Sequence, residues 1–276
     1  MSAAPPGRAV WLDGALVPPG AAALSIDDPA VRWGEGLFET MRAEGGRVGL
    51  LEHHLDRVAA SAEALGMAPM PSRERMRGAV AEALTASGAR PARVRLTVTP
   101  RPTLLVEVSP EEPAPAEPAA VTAITVRGAW WPGNAIAEHK TLSYAGHRVA
   151  QRRAEAAGAD HALLLDADGR LGEAALANVI VATGAGALTA PARGLLAGVA
   201  RAVAMEAGGV REQELPEAVW RGAREIVLTN AVTGALAVVA VDGAPVGDGN
   251  PGALARRIAT GLRAAWGTLP AGDSGG

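Results

Sequence analysis

GADHALLLDADGRLGEAALANV, residues 158–179, sets the fold class. Its first residue is a glycine of the kind that ends a helix, and the stretch before it predicts one from Ala145 to Ala157. His161–Leu165 is an apolar run of strand length, as expected for a strand covered on both faces. Asp168-Gly169 supplies a turn, Glu173 follows that turn at the end of a short strand, and Val179–Thr183 predicts a second buried strand. Helix, strand, turn, strand within forty residues predicts a mixed α/β (α+β) fold.

The same alternation continues outward. Towards the C-terminus a helix is expected near Val199–Ala207, strands at Ile226–Leu228 and Ala237–Val241, and a last helix at Ala253–Trp266. On the other side a strand is expected at Val121–Val126, and before it SPEEPAPAEPAA (109–120) combines four prolines with acidic residues, a composition that keeps a chain extended. The expected division is an N-terminal α/β domain over 1–112, a Pro-rich linker over 113–120 and a C-terminal α/β domain over 121–276 that carries Lys140.

In the N-terminal part, Arg8–Val17 alternates around Asp13-Gly14 and predicts a hairpin. LLEHHLDRVAASAEALG (50–66) places Leu51, Leu55, Val58, Ala62 and Leu65 on one helical face, with Gly66 at its end. A second helix is expected over Ser72–Ser87, stopped by Gly88, and strands over Arg93–Thr99 and Leu104–Val108. No internal repeat is visible.

Composition narrows the chemistry. A 49% hydrophobic, 20% charged chain of 276 residues has ample core-forming surface, and a net charge of -3 leaves no electrostatic footprint for nucleic acid. There is no cysteine, which excludes disulfides, thiolate metal sites and cysteine nucleophiles. The five histidines show no metal-binding spacing, so no metal is expected. Neither a signal-like N-terminus nor a membrane-length apolar run is present, and a cytoplasmic protein with a small-molecule partner is expected.

Lys140 is the only lysine, Phe38 the only phenylalanine and Tyr144 the only tyrosine. A lone lysine is ordinarily a solvated surface residue, but in a chain that uses arginine everywhere else its retention points to amine chemistry, the formation of Schiff bases. Glu173 has the character needed to keep a pyridine nitrogen protonated; taken alone it reads equally as an exposed loop glutamate. Arg57, on the 51–66 helix, has the planar fork that suits a phosphate, or is a solvated helix arginine. LLAGVAR (195–201) puts a glycine at a helix start, where unpaired N–H groups attract phosphate, although many helices begin this way. GDGNPG (247–252) matches a dinucleotide fingerprint only formally, since it lies near the end of the chain instead of opening a βαβ unit.

In order and spacing, RWGEGLFETMR, LLEHHLDRVAASAEALG, HKTLSY, GADHALLLDADGRLGEAALANV, GLLAGVAR, EIVLTNAV and VDGAPVGDG resemble the class IV, or fold type IV, aminotransferase family. The resemblance implies a two-domain homodimer that binds pyridoxal 5'-phosphate in its interdomain cleft. It makes Lys140 the Schiff-base lysine and proton shuttle, Glu173 the partner of the ring nitrogen, and Arg57 a phosphate ligand. Gly198, Val199, Asn230 and Ala231 would form the phosphate cup, and Tyr144 would reach the cofactor's phenolic oxygen or pack in the core. Phe38 and Arg101 are the candidate substrate contacts, Arg101 by its likeness to a carboxylate-trapping arginine of D-amino acid aminotransferases. The chain departs from the family at Ala200 and Ala231, where hydroxyl residues are common, and at Glu35 and Leu176-Ala177.

Within the family, Asn230-Ala231, the missing hydroxyl at Ala200 and the KTLSY segment look most like 4-amino-4-deoxychorismate lyase, which forms 4-aminobenzoate and pyruvate in folate biosynthesis. An aminotransferase acting on D-amino acids, branched-chain amino acids or amines is the alternative, and a non-catalytic binding protein of the same fold a third reading.

Overall fold

The computed structural model describes residues 7–267. They form two compact units: the first runs to Pro113 and takes in Lys140–Ser143 and the chain from Arg263, and the second comprises Ala114–His139 and Tyr144–Leu262.

The first unit is built on an antiparallel six-stranded sheet. Its strands are β1 (Ala9–Leu12), β2 (Ala15–Val17), β3 (Leu37–Glu44), β4 (Arg47–Val48), β5 (Ala92–Val98) and β6 (Leu104–Pro110), in the order β2-β1-β6-β5-β3-β4. Asp13 and Gly14 take positive φ values of 48° and 115°, so the expected hairpin forms around them. Helices α1 (Pro29–Trp33), α2 (Leu51–Ala64) and α3 (Arg73–Ser87) complete the unit. Ser72 caps α3 by accepting from the Arg75 N–H, and Gly88 ends it in the left-handed region. Val94, Leu96 and Val98 of β5 and Leu104, Val106 and Val108 of β6 join Leu55, Val58, Met76 and Val80 of α2 and α3 in one core.

The lysine segment differs from expectation. Its backbone pairs with β3, in the first unit, and not with the C-terminal domain: Leu37 bridges Thr141, the Phe38 N–H donates to the Lys140 carbonyl at 2.9 Å, and the Leu142 N–H donates to the Gly36 carbonyl at 2.9 Å. The WGEG turn before β3 is shaped by this approach. A Cβ on Gly34 would meet Ser143 Oγ at 2.8 Å, and one on Gly36, at φ 150°, would meet Leu142 Cδ1 at 2.6 Å and the Val98 carbonyl oxygen at 2.9 Å.

The second unit is built on a nine-stranded sheet containing β7 (Ala119–Arg127), β8 (His161–Leu165), β9 (Leu171–Ala174), β10 (Ala177–Thr183), β11 (Gly186–Thr189), β12 (Arg211–Glu212), β13 (Glu225–Asn230), β14 (Gly234–Val241) and β15 (Ala244–Pro245). β14, β7 and β8 run parallel to one another, whereas β8-β9, β9-β10, β10-β13 and β13-β14 are antiparallel. β7 begins inside the expected linker because Ala119 and Ala120 pair with Leu236 and Ala237 of β14. The helices are α4 (Ala145–Ala156), α5 (Val199–Gly208), α6 (Glu217–Arg221) and α7 (Ala253–Trp266), the last of which belongs to this unit up to Leu262. Apolar residues of β8, β10 and β13, such as Leu163, Val179 and Leu228, are fully buried.

The GDGNPG turn leads into α7, whose first N–H groups are already taken: the Glu225 carboxylate accepts from Leu254 at 3.1 Å and Ala255 at 3.0 Å. Gly252 leaves room for that carboxylate, since a Cβ would come within 2.1 Å of it. The segment is a capped helix start. Among the described residues no helix is long and apolar enough to cross a membrane.

Gly36 and Gly78 give opposite outcomes on alanine substitution. G36A places a Cβ against Leu142 and the Val98 carbonyl at a strained φ, and destabilises the protein by about 2–3 kcal/mol in urea unfolding. G78A, on the exposed face of α3 with open space around its Cβ, stabilises it by about 0.5–1 kcal/mol.

Candidate active site

The first unit presents the lysine. With its backbone held by β3, Lys140 carries its Nζ to 4.4 Å from the Phe38 ring centroid, and the Arg95 guanidinium carbon lies 3.9 Å from the same centroid. Phe38 is buried. An aromatic face attracts a cation through its quadrupole, so Phe38, expected as a substrate contact, serves as the surface on which Lys140 and Arg95 rest. Arg101 stands in an exposed loop, where its Nη1 donates to Ser25 Oγ at 3.3 Å.

Arg57 is not a solvated helix arginine. Its side chain is 14% exposed, and Nε and Nη2 donate to Oε1 and Oε2 of Glu39 at 2.8 and 2.6 Å. His54, one turn earlier on α2, places Nδ1 2.7 Å from Oε2 of the same carboxylate. Burial pushes the Glu39 carboxyl up, but the Arg57 charge and the hydrogen bonds from His54 and Arg57 outweigh it and hold the pKa at about 2. This bidentate pair fixes the plane of the guanidinium.

The second unit presents Glu173, which is no loop residue: it lies in β9, 5% exposed, opposite Asn178 of β10 and Leu164 of β8. His147 Nε2, from α4, lies 3.3 Å from Oε1, and Asn178 Nδ2 donates to Oε2 at 3.4 Å and to the Leu196 carbonyl at 2.8 Å. Asn178 thereby ties Glu173 to the LLAG loop. A Cβ on Gly198 would lie 2.0 Å from Asn178 Oδ1, so only glycine fits at this start of the ten-residue α5. Trp130 supports both sides: its ring covers Gly172, where a Cβ would meet it at 2.7 Å, and its Nε1 donates to the Gly194 carbonyl at 2.8 Å.

Gly198 and Val199 begin α5 with no side-chain cap. Asn230 ends β13 and spends its Oδ1 on its own turn, accepting from the N–H groups of Val232 at 2.9 Å and Thr233 at 2.8 Å, which shapes the backbone at Ala231. Thr229 is buried opposite Asn178 in the β10-β13 register, and its Oγ1 has no hydrogen-bond partner. Tyr144 donates to the Ala175 carbonyl at 3.4 Å, and its ring stacks on His147 with centroids 4.3 Å apart and planes 8° apart.

The structure thus joins Lys140 to Phe38 in one unit, and Glu173 to the Gly198 loop through Asn178 in the other. Four residues of these networks did not stand out in the sequence: Glu39, His54, His147 and Asn178. Glu39 carried a signal, since a strand period of two places it between Leu37 and Met41 on an apolar face, where a charge requires a partner.

Because the Glu39 carboxyl is held below its unfolded value, it contributes stability above about pH 4.5 that is lost as the pH falls through about 2. E39Q should cost about 3 kcal/mol at pH 7. In urea melts the gap to the unsubstituted protein should close as the pH falls from 4.5 towards 2; a gap that does not depend on pH would show that the carboxylate charge is not the source.

The family described as Amino-transferase class IV matches residues 36–241, well over half of the chain. Branched-chain-amino-acid aminotransferase-like protein 2 of Arabidopsis thaliana is 27% identical over 272 residues, an alignment covering 90% of this chain and 48% of that protein, so the chain spans about half the length of this relative. A bifunctional aminodeoxychorismate lyase / D-amino acid transaminase of Mycobacterium tuberculosis is 36% identical over 192 residues, covering 63% of this chain and 66% of that one. Among solved structures, the PLP-bound form of a hypothetical aminotransferase from Mycobacterium tuberculosis superposes with a TM-score of 0.82 at 30% identity, over 93% of this chain and 98% of that one. The two-sheet α/β architecture is that of the fold type IV enzymes, and the chain belongs to the class IV aminotransferase family, whose enzymes use pyridoxal 5'-phosphate.

Proposed function

We propose that this chain is a lyase that splits 4-amino-4-deoxychorismate into 4-aminobenzoate and pyruvate, with Lys140 as its catalytic residue. The observation that carries the role of Lys140 is the clamping of the only lysine to β3, with its amine over the Phe38 ring. Support for the substrate comes from the relative at 36% identity whose name includes aminodeoxychorismate lyase.

The donor set fits pyridoxal phosphate. Glu173 is a buried carboxylate with hydrogen-bond partners, suited to a protonated ring nitrogen. Gly198 opens an uncapped helix start, and Arg57 is a pre-oriented guanidinium, both suited to a phosphate. When bound, the cofactor supplies a ring that accepts the electron pair left by proton removal next to the substrate nitrogen. Lys140 would hold the cofactor, and its amine would be the base that removes that proton. With alanine at 200 and 231, backbone N–H groups of Gly198, Val199, Asn230 and Ala231 would hold the phosphate.

In the lyase reaction, loss of that proton is followed by cleavage of the bond between the ring carbon and the enolpyruvyl oxygen. The electrons leave with the oxygen, the six-membered ring becomes aromatic, and the released enol takes up a proton to become pyruvate. No water, oxidant or second substrate is consumed. The second reading, a D-amino acid transaminase, is favoured by the other half of the same relative's name; Arg101 would then bind the substrate carboxylate and a keto acid would be required in each cycle. We further propose a homodimer, which fits the exposed Ile26, Val31 and Trp33 around α1, and a cytoplasmic location, which the lack of cysteine suits.

Borohydride reduction of the protein with pyridoxal phosphate, followed by peptide mapping, should place the pyridoxyl adduct on the Lys140 peptide; an unmodified Lys140 peptide would remove the basis of the assignment. Aminodeoxychorismate should then be turned over repeatedly with no keto acid added. If it is inert while a D-amino acid converts the bound cofactor to its amine form, the transaminase reading replaces the lyase. E173Q should retain cofactor while losing about 100-fold or more in turnover, because a neutral amide does not stabilise a protonated ring nitrogen.

A further inference from the structure

The two carboxylate oxygens of Glu173 face different neighbours. Asn178 Nδ2 is shared, with its shorter bond, 2.8 Å, going to the Leu196 carbonyl and its longer one, 3.4 Å, to Glu173 Oε2. The other oxygen, Oε1, faces His147 Nε2 at 3.3 Å. The side chain of His147 is 24% exposed and that of Glu173 7%, so the imidazole stands between the buried carboxylate and solvent. Its ring plane is set by Tyr144, three residues earlier and on the same side of the first turn of α4, in a stack with planes 8° apart. A histidine aimed in this way supplies an N–H to a carboxylate that burial alone would drive towards its neutral form.

We propose that His147 is a positioning residue for Glu173: held by the Tyr144 ring, it donates to Oε1 and keeps the carboxylate anionic and in one rotamer, so that it faces a protonated ring nitrogen. This rests on the reading of Glu173 as the partner of the cofactor's ring nitrogen. In this role His147 acts through Glu173. A merely structural imidazole would act equally whether or not Glu173 were charged.

A double-mutant cycle tests this. The dissociation constant of pyridoxal phosphate and the absorption spectrum of the bound cofactor are measured for the unsubstituted protein, H147F, H147Q, E173Q and E173Q/H147F, with urea midpoints recorded for each. H147F keeps a ring against Tyr144 but has no donor, and should weaken cofactor binding about tenfold, the scale of one hydrogen bond to a charged group, while shifting the spectrum towards that of E173Q. H147Q, which retains an N–H donor, should restore binding to within about threefold. In the E173Q background H147F should change binding by less than about twofold. Equal effects of H147F with and without Glu173, or none in either background, would overturn the proposal; if H147F misfolds, H147L removes the same donor and completes the cycle. Failure of the unsubstituted protein to bind pyridoxal phosphate would overturn the reading of Glu173 itself, and this proposal with it.

Discussion

Two backbone hydrogen bonds, Phe38 N–H to the Lys140 carbonyl and Leu142 N–H to the Gly36 carbonyl, are the constraint on which the arrangement at the lysine depends. They make residues 140–142 a short antiparallel companion of β3, so the position of the amine is inherited from a strand buried in the first unit. A flexible loop could not hold a reacting group to the tolerance that catalysis requires. The close pairing also explains the local sequence: Gly34 and Gly36 lack side chains because the returning segment occupies that space. Phe38, the next residue but one, lies against the Lys140 amine.

The two units meet the cost of burying a carboxylate differently. Glu39 is balanced by a bidentate arginine and a histidine within a largely buried network, and its gain is orientation: the pair holds the Arg57 guanidinium in one plane. An ion pair of this kind is seldom a net source of stability over an apolar alternative, yet removing one partner strands a buried charge. Glu173 instead lies beside a histidine and accepts from an amide. Asn178 links this carboxylate to the Gly198 loop, so the groups assigned to the ring nitrogen and to the phosphate share one support.

Much of this was legible in the sequence, and the exceptions have physical causes. α3 forms where Ser72 and Gly88 predict its ends, and α7 spans the expected Ala253–Trp266, because capping and helical periodicity are local signals. β3 is not legible as a strand because Leu37, Met41 and Ala43 on one side and Phe38 and Arg42 on the other are all buried, which erases the alternation of a half-exposed strand. The place of the lysine segment is not legible for a related reason: the proline-rich stretch marks where the chain leaves the first unit, while the return of four residues is fixed by pairing about a hundred positions away. Lys140 and Glu173 are singled out in the sequence by rarity and the family resemblance. His147 and Asn178 are not, since their meaning lies in contacts with Glu173 and Leu196 that no spacing rule encodes.

The central claim, that Lys140 is the cofactor-bearing residue because β3 holds it in place, is tested most directly by an experimental structure of the protein crystallised with pyridoxal phosphate. The account predicts continuous electron density from Lys140 Nζ to the cofactor, with the Leu37–Thr141 bridge intact beside β3. Cofactor bound elsewhere with Lys140 unmodified, or cofactor on Lys140 with the 140–142 segment detached from β3, would contradict it.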